Sequence, residues 1–181
     1  HMLDAPVSGG VQGAKSGSLT FMVGGSRDDY DKLRFLFEYM GSRSVYCGKN
    51  GSGQTAKICN NMILGVTMIA TCEAFALADK LELDREAMFD VVSTSSGYSW
   101  SMNRYCPAPG VGPKAPSDNN YTPGFSSDLM LKDLTLSQNA SSESKASTPM
   151  GDLAMKLYKD FVENKNGSGL DFSAILKTFE V

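Results

Sequence analysis

The sequence predicts a mainly α-helical chain with a small β portion at its start. Three observations carry that reading. From Ile58 to Ala78 the only charged residue is Glu73, and apolar side chains fall on every face, as in a helix buried inside its own protein. Short strand-like runs are confined to the first 48 residues. After Asn50, capped segments with apolar residues at helical spacing follow one another.

Residues 3–7 are strand-like and run into Ser8-Gly9-Gly10. Successive backbone N–H groups in such a turn can bind a carboxylate or phosphate, although a lone Ser-Gly-Gly is more often an ordinary loop. Leu19-Thr20-Phe21-Met22-Val23 reads as a second strand closed by Gly24-Gly25. Ser26 caps a helix over 28–40, with Asp29 completing a capping-box pattern and Tyr30, Leu33, Phe37 and Met40 on one face. Ser44 to Cys47 is a third short strand. This β, β-α, β opening is too little for an independent sheet, which predicts that it is the trailing part of a longer fold.

A long helix is expected over about 53–81. Asp84 caps the next, directing Met88, Val91 and Val92 inward, with Gly97 ending it and Trp100 and Tyr105 on a short piece beyond. Five of the seven prolines lie in 106–124, predicting a long ordered loop or an exposed linker. Ser126 or Ser127 opens a helix through Leu129, Leu131, Leu134 and Leu136, and its Lys132-Asp133 pair reads by composition as surface. The serine-rich stretch 137–147 reads as fraying and turn. Thr148-Pro149 starts a helix carrying Leu153, Leu157 and Phe161, stopped near Gly167, and a last short helix follows Asp171.

Composition narrows the function. Hydrophobic content of 41% and charged content of 20% are those of a soluble globular protein. A net charge of −3 gives no basic footprint for nucleic acid or an anionic membrane. Asn60, Asn61, Thr67, Thr71 and Glu73 interrupt the long apolar run, which favours a core helix over a membrane span. Cys47, Cys59, Cys72 and Cys106 form no C-x-x-C pair and read as buried free thiols. His1-Met2 reads as an appended dipeptide. No other histidine is present, which argues against a Ser-His-Asp triad, a Cys-His dyad and H-E-x-x-H zinc sites, and no metal ligands are assigned.

The candidate chemistry lies at Gly51-Ser52-Gly53-Gln54-Thr55-Ala56-Lys57-Ile58-Cys59-Asn60-Asn61. Lys57 and Asn61 stand four apart and project from one face of the long helix at its beginning. The positive helix end and partial desolvation both disfavour a charged lysine there, so Lys57 is a candidate proton-transfer group. The alternative is that Lys57 snorkels to water while Asn60 and Asn61 satisfy nearby backbone. Gly51-x-Gly53-x-x-Ala56 also fits the dinucleotide fingerprint, but the acidic residue at the expected distance, Glu73, falls mid-helix and not at a strand end, so the match is rejected.

In this order the motifs resemble the β-hydroxyacid dehydrogenase family. Asp4-Ala5-Pro6-Val7-Ser8-Gly9-Gly10, continuing through Ala14, Gly17, Leu19, Met22 and Gly24-Gly25, is similar to its substrate-binding motif. Gly48-x-x-Gly51-x-Gly53-x-x-x-Lys57-x-x-x-Asn61 is similar to its catalytic motif, and Lys132-Asp133-Leu134 to its late cofactor motif. Thr135 and Asn139 depart from the last, where glycine and aspartate are usual. Ser95-Ser96-Gly97, Trp100, Pro107-x-Pro109-Gly110-Val111, Pro116-Ser117, Asn120-Tyr121 and Gly124-Phe125 favour the hydroxyisobutyrate branch.

The resemblance implies that residues 3–48 are the trailing strands of a Rossmann-type domain. Residues 51–181 are then an all-helical domain of the 6-phosphogluconate dehydrogenase C-terminal type, concerned with substrate and dimerisation. It implies hydride transfer between 3-hydroxyisobutyrate and NAD, giving methylmalonate semialdehyde as in valine breakdown. Lys57 would be the general acid/base. Ser8, Gly9, Gly10, Asn61 and Phe125 would bind substrate, and Lys132 would approach the cofactor. A homo-oligomer, the mitochondrial matrix in a eukaryote and no activity from these residues alone are also implied. Another small β-hydroxy acid or semialdehyde is the alternative substrate, and a non-catalytic helical association domain the alternative function.

Overall fold

Leu19–Gly24 (β2), rich in β-branched and aromatic residues, forms the middle of a three-stranded sheet. Val7–Ser8 (β1) pairs with it antiparallel and Gly41–Gly48 (β3) parallel. The expected first strand is shorter than residues 3–7; ahead of it only an isolated bridge joins Asp4 to Gly24. The structure is a computed structural model and describes residues 1–180. The chain forms two units, residues 1–60 and the remainder from Asn61.

In the first unit, a short helix that the sequence did not announce, Gly10–Lys15 (α1), follows directly on β1. Arg27–Met40 (α2) makes the crossover between β2 and β3, as parallel neighbours require. Its start is capped as expected, the Ser26 hydroxyl accepting the Asp29 N–H at 3.1 Å. Tyr30 and Phe37 pack with Phe21 and Val23 into a small aromatic core, whereas Leu33 and Met40 of the expected apolar face stay exposed.

Ser52–Lys80 (α3) spans the predicted long helix, beginning in the first unit and continuing through the second. By length and composition it could cross a membrane, yet Met68, Ile69, Cys72 and Phe75 lie in the second unit's core. Its burial is one-sided: Ile63 and Leu77 are each 61% exposed, so apolar content on every face overstated how far it is enclosed.

Around that stretch the second unit adds Arg85–Ser93 (α4), Trp100–Asn103 (α5), Ser127–Ser144 (α6) and Pro149–Asn164 (α7), with 3-10 turns at Pro116–Asn119 and Phe172–Thr178. Asp84 caps α4 by accepting the Ala87 N–H, but Val91 points outward at 62% exposure while Met88 and Val92 pack on the core. The proline-rich loop is no linker, because Cys106, Ala108, Val111 and Tyr121 are core residues and Ala115 is buried. The serine-rich stretch is helical to Ser144. Ser137 and Ser144 turn their hydroxyls back onto the Leu134 and Ala140 carbonyls, which lets serine sit inside a helix. Thr148 gives α7 no side-chain cap; its hydroxyl bonds Gln138 and Ser141 instead. All four cysteines are free, but Cys59 is exposed and Cys47 only partly covered, so the expectation of buried thiols holds for Cys72 and Cys106 alone.

Candidate active site

In the first unit the predicted residues Ser8, Gly9, Gly10 and Lys57 are brought together by β1 and the opening turns of α3. Gly9 and Gly10 adopt φ of 131° and 59°, a succession that favours glycine and turns the chain from β1 into α1. Both glycines are exposed and Ser8 is partly buried, leaving the turn open to a small ligand. Lys57 is half-buried, and its Nζ donates to the Val7 carbonyl at 2.9 Å, next in the chain to Ser8. A primary amine can give that bond whether protonated or neutral. The contact therefore orients Nζ without fixing its charge.

The α3 N-terminus has its own anion. Asp4 Oδ1 accepts the Gly51 N–H at 2.7 Å, and Oδ2 accepts the Gln54 N–H at 3.0 Å. The rejected dinucleotide fingerprint thus surrounds a protein carboxylate, and a pyrophosphate does not fit where that carboxylate stands.

In the second unit Asn61 and Lys132 meet through a residue that the sequence reading treated as surface. Asp133 is 7% exposed; its Oδ2 accepts from Asn61 Nδ2 at 2.5 Å, and its Oδ1 lies 3.0 Å from Lys132 Nζ. The carboxylate ties a buried amide on α3 to an ammonium whose side chain is 59% exposed on α6. A signal for this was present. Met130, Asp133, Leu134 and Ser137 are the buried stripe of α6 at i, i+3, i+4, i+7, and a charge on such a stripe demands a partner. Lys132, exposed and cationic, suits a polar or anionic group of a nicotinamide cofactor. No dinucleotide cradle is found among the described residues.

Phe125 belongs to a different cluster. Its ring packs edge-on against Phe172 at 5.6 Å, in a series that continues through Tyr105 to the half-exposed Trp100. The turn carrying it is held by Asp171, fully buried, whose Oδ2 accepts the Gly124 and Phe125 N–H groups and the Tyr105 hydroxyl at 2.8–3.1 Å. Burial pushes the Tyr105 hydroxyl's pKa well up, and the Asp171 charge adds to it, so Tyr105 stays a donor. Sequence reasoning missed the roles of Asp4, Asp133 and Asp171: the first two entered it only inside motifs, and the third only as the start of the last helix. Each is a short carboxylate whose importance comes from donors distant in the chain.

Comparison with known proteins also divides the chain in two, but at residues 48–51 and not at 60–61. Residues 51–179 match the family model described as the NAD-binding domain of NADP-dependent 3-hydroxyisobutyrate dehydrogenase, and residues 1–48 match the NAD binding domain of 6-phosphogluconate dehydrogenase. The mitochondrial 3-hydroxyisobutyrate dehydrogenase of Homo sapiens is 46% identical over 97% of this chain and 52% of its own length. An NAD-dependent L-serine dehydrogenase of Pseudomonas aeruginosa is 46% identical over 99% of this chain and 60% of its length. Among solved structures, the Mycobacterium tuberculosis 3-hydroxyisobutyrate dehydrogenase with L-serine superposes with a TM-score of 0.94 at 44% identity, covering 99% of this chain and 61% of that one. The chain thus spans between half and two thirds of the length of these relatives.

Proposed function

This chain belongs to the 3-hydroxyisobutyrate dehydrogenase family, and from that premise we propose that it is the part of a β-hydroxyacid dehydrogenase that binds the substrate and moves its proton. The substrate is 3-hydroxyisobutyrate, oxidised to methylmalonate semialdehyde as in valine breakdown. The observation that supports this best is the Lys57 Nζ bond to Val7, which keeps a half-buried amine beside the Ser8-Gly9-Gly10 turn.

A nicotinamide cofactor, NAD in this reading, would be met by Lys132 and would supply the hydride acceptor for the substrate's hydroxyl-bearing carbon. Lys57 receives the hydroxyl proton as the C–O bond becomes a carbonyl, and returns it in the reverse direction. Ser8 and the Gly9 and Gly10 amides hold the substrate carboxylate by charge-assisted bonds. Asn61, steadied by Asp133, contacts the substrate or orients Lys57, and Phe125 offers the substrate an apolar contact. Lys132, tethered to the same Asp133 carboxylate, meets the cofactor. Residues 3–48 act as the trailing part of the dinucleotide-binding domain and 51–181 as the helical substrate domain. The active species is a homo-oligomer, in the mitochondrial matrix if the source is a eukaryote, and residues 1–181 alone are expected to be inactive.

L-Serine is the second reading, favoured by the serine dehydrogenase relative and by the serine in the matched structure. It offers the same carboxylate and β-hydroxyl to the same groups. The test is reduced-cofactor formation, followed by absorbance, by the full-length protein given 3-hydroxyisobutyrate, L-serine and other short hydroxy acids with NAD or NADP. Highest kcat/KM for 3-hydroxyisobutyrate with NAD is expected. Preference for serine would promote the second reading, and no turnover with any β-hydroxy acid would overturn both.

A further inference from the structure

Asp4 has no part in the chemistry just described, yet much of the first unit is arranged around its carboxylate. Its backbone exchanges two hydrogen bonds with Gly24, Asp4 N–H to Gly24 O at 3.0 Å and Gly24 N–H to Asp4 O at 2.8 Å. Its two oxygens accept from Gly51, just ahead of α3, and from Gln54 in the helix's first turn. Space is kept for it on two sides. A Cβ added at Gly24 would stand 2.5 Å from Oδ1, and one at Gly53 would stand 2.8 Å from Oδ2. Three residues after Asp4, the Val7 carbonyl accepts from Lys57. The segment from Asp4 to Val7 therefore grips α3 twice, at its N-terminus through a carboxylate and near its second turn through the lysine.

We propose that Asp4 is a positioning residue for Lys57: its carboxylate pins the start of α3 to the segment leading into β1 and so fixes where Nζ stands beside the Ser8-Gly9-Gly10 turn. A helix start is the end of the element most prone to fray, because its amides lack intrahelical partners. A carboxylate that accepts one of them, from Gln54, and also the Gly51 N–H just ahead of the helix, with its charge opposed to the helix end, resists that fraying. Lys57 lies within two turns of the helix start, so any tilt or unwinding there moves Nζ directly. Partial desolvation works against the Asp4 charge, but the Gly51 and Gln54 amides outweigh it and hold its carboxyl below the usual range, keeping the clamp ionised at neutral pH. A neutral isostere at position 4 keeps the shape and loses one acceptor, turning an N–H donor toward an amide N–H.

The inference rests on Lys57 being the proton-transfer group, and the test separates the two claims. In the full-length protein, turnover of 3-hydroxyisobutyrate with NAD is measured for Asp4→Asn, Asp4→Ala, Lys57→Ala and the double variant Asp4→Asn/Lys57→Ala, with circular dichroism and sizing as checks on folding. Asp4→Asn is expected to lower kcat by about tenfold to a hundredfold, the scale of a small misplacement of a reacting group, with KM changed less than about threefold. In the Lys57→Ala background the same substitution is expected to cost less than about twofold, because the group it positions is gone. The same fold-loss in both backgrounds would overturn the inference, showing that Asp4 supports the fold and not the lysine. Failure of both Asp4 variants to fold would overturn it in the same way. Normal turnover in Asp4→Asn beside an inactive Lys57→Ala would overturn this inference alone, whereas normal turnover in Lys57→Ala would remove the reading beneath it and the inference too.

Discussion

The two units use the same device, an aspartate accepting backbone N–H groups, at opposite degrees of burial. In the first unit Asp4 caps α3 close to solvent, beside a small core of Phe21, Val23, Tyr30 and Phe37. In the second unit Asp171 is completely enclosed by a much larger core and accepts from Gly124, Phe125, Tyr105 and Ser173. The difference teaches what each carboxylate can be asked to do. Water can replace a lost bond at Asp4, so its effect is local and graded. Nothing replaces the bonds at Asp171, so its donors and its charge stand or fall together.

The largest effect on stability is therefore expected at Asp171. Asp171→Ala leaves several buried donors unpaired and is expected to destabilise the protein by about 3 kcal/mol or more; a midpoint in denaturant close to wild type would break the comparison. Tyr105→Phe removes one donor to the buried charge and is expected to cost about 1.5–3 kcal/mol. Asp133→Asn sharpens the contrast in activity: it keeps the shape beside Asn61 but loses the attraction for Lys132. A roughly tenfold rise in the KM for cofactor is expected, of the size of a lost charge-assisted bond, and an unchanged KM would detach Lys132 from the cofactor. The smallest effect is a pH dependence at the exposed end of the comparison. The Asp4 carboxyl is held below its ordinary value by the Gly51 and Gln54 amides acting against desolvation, and that of Asp128 by the Gly169 amide and the Ser168 hydroxyl. A depressed folded pKa gives stability that is complete above the unfolded value of 3.8 and is lost as pH falls through the folded one. Below about pH 4, Asp4→Asn and Asp128→Asn are each expected to lose less stability with acid than wild type does, and parallel acid titrations would show those clamps to be unimportant.

What could be read in the sequence divides along the same line. Backbone devices were legible: Ser26 and Asp84 as caps, the long helix through Phe75, and the glycine turn beside Ser8. They declare themselves because glycine and short polar residues have few other reasons to occupy those places. Side chains whose role depends on distant partners were not legible. Nothing local says that Asp171 meets Tyr105 from 66 positions away, or that Asp4 meets Gly51. Asp133 lies between these cases, since the apolar stripe of α6 marked it while the residue-type average for a Lys-Asp pair hid it. The unannounced α1 shows a third limit: Gly10-Val11-Gln12-Gly13-Ala14-Lys15 carries two glycines, which argue against a helix that its surroundings nonetheless impose.

The most direct test of the whole account is turnover by Lys57→Ala in the full-length protein, with and without small primary amines added. The account predicts a loss in kcat of about 10²–10⁴-fold, the usual worth of a general acid/base, with unfolding temperature little changed and activity partly restored by the amines. Turnover within a few-fold of wild type would contradict it and remove Lys57 from the chemistry.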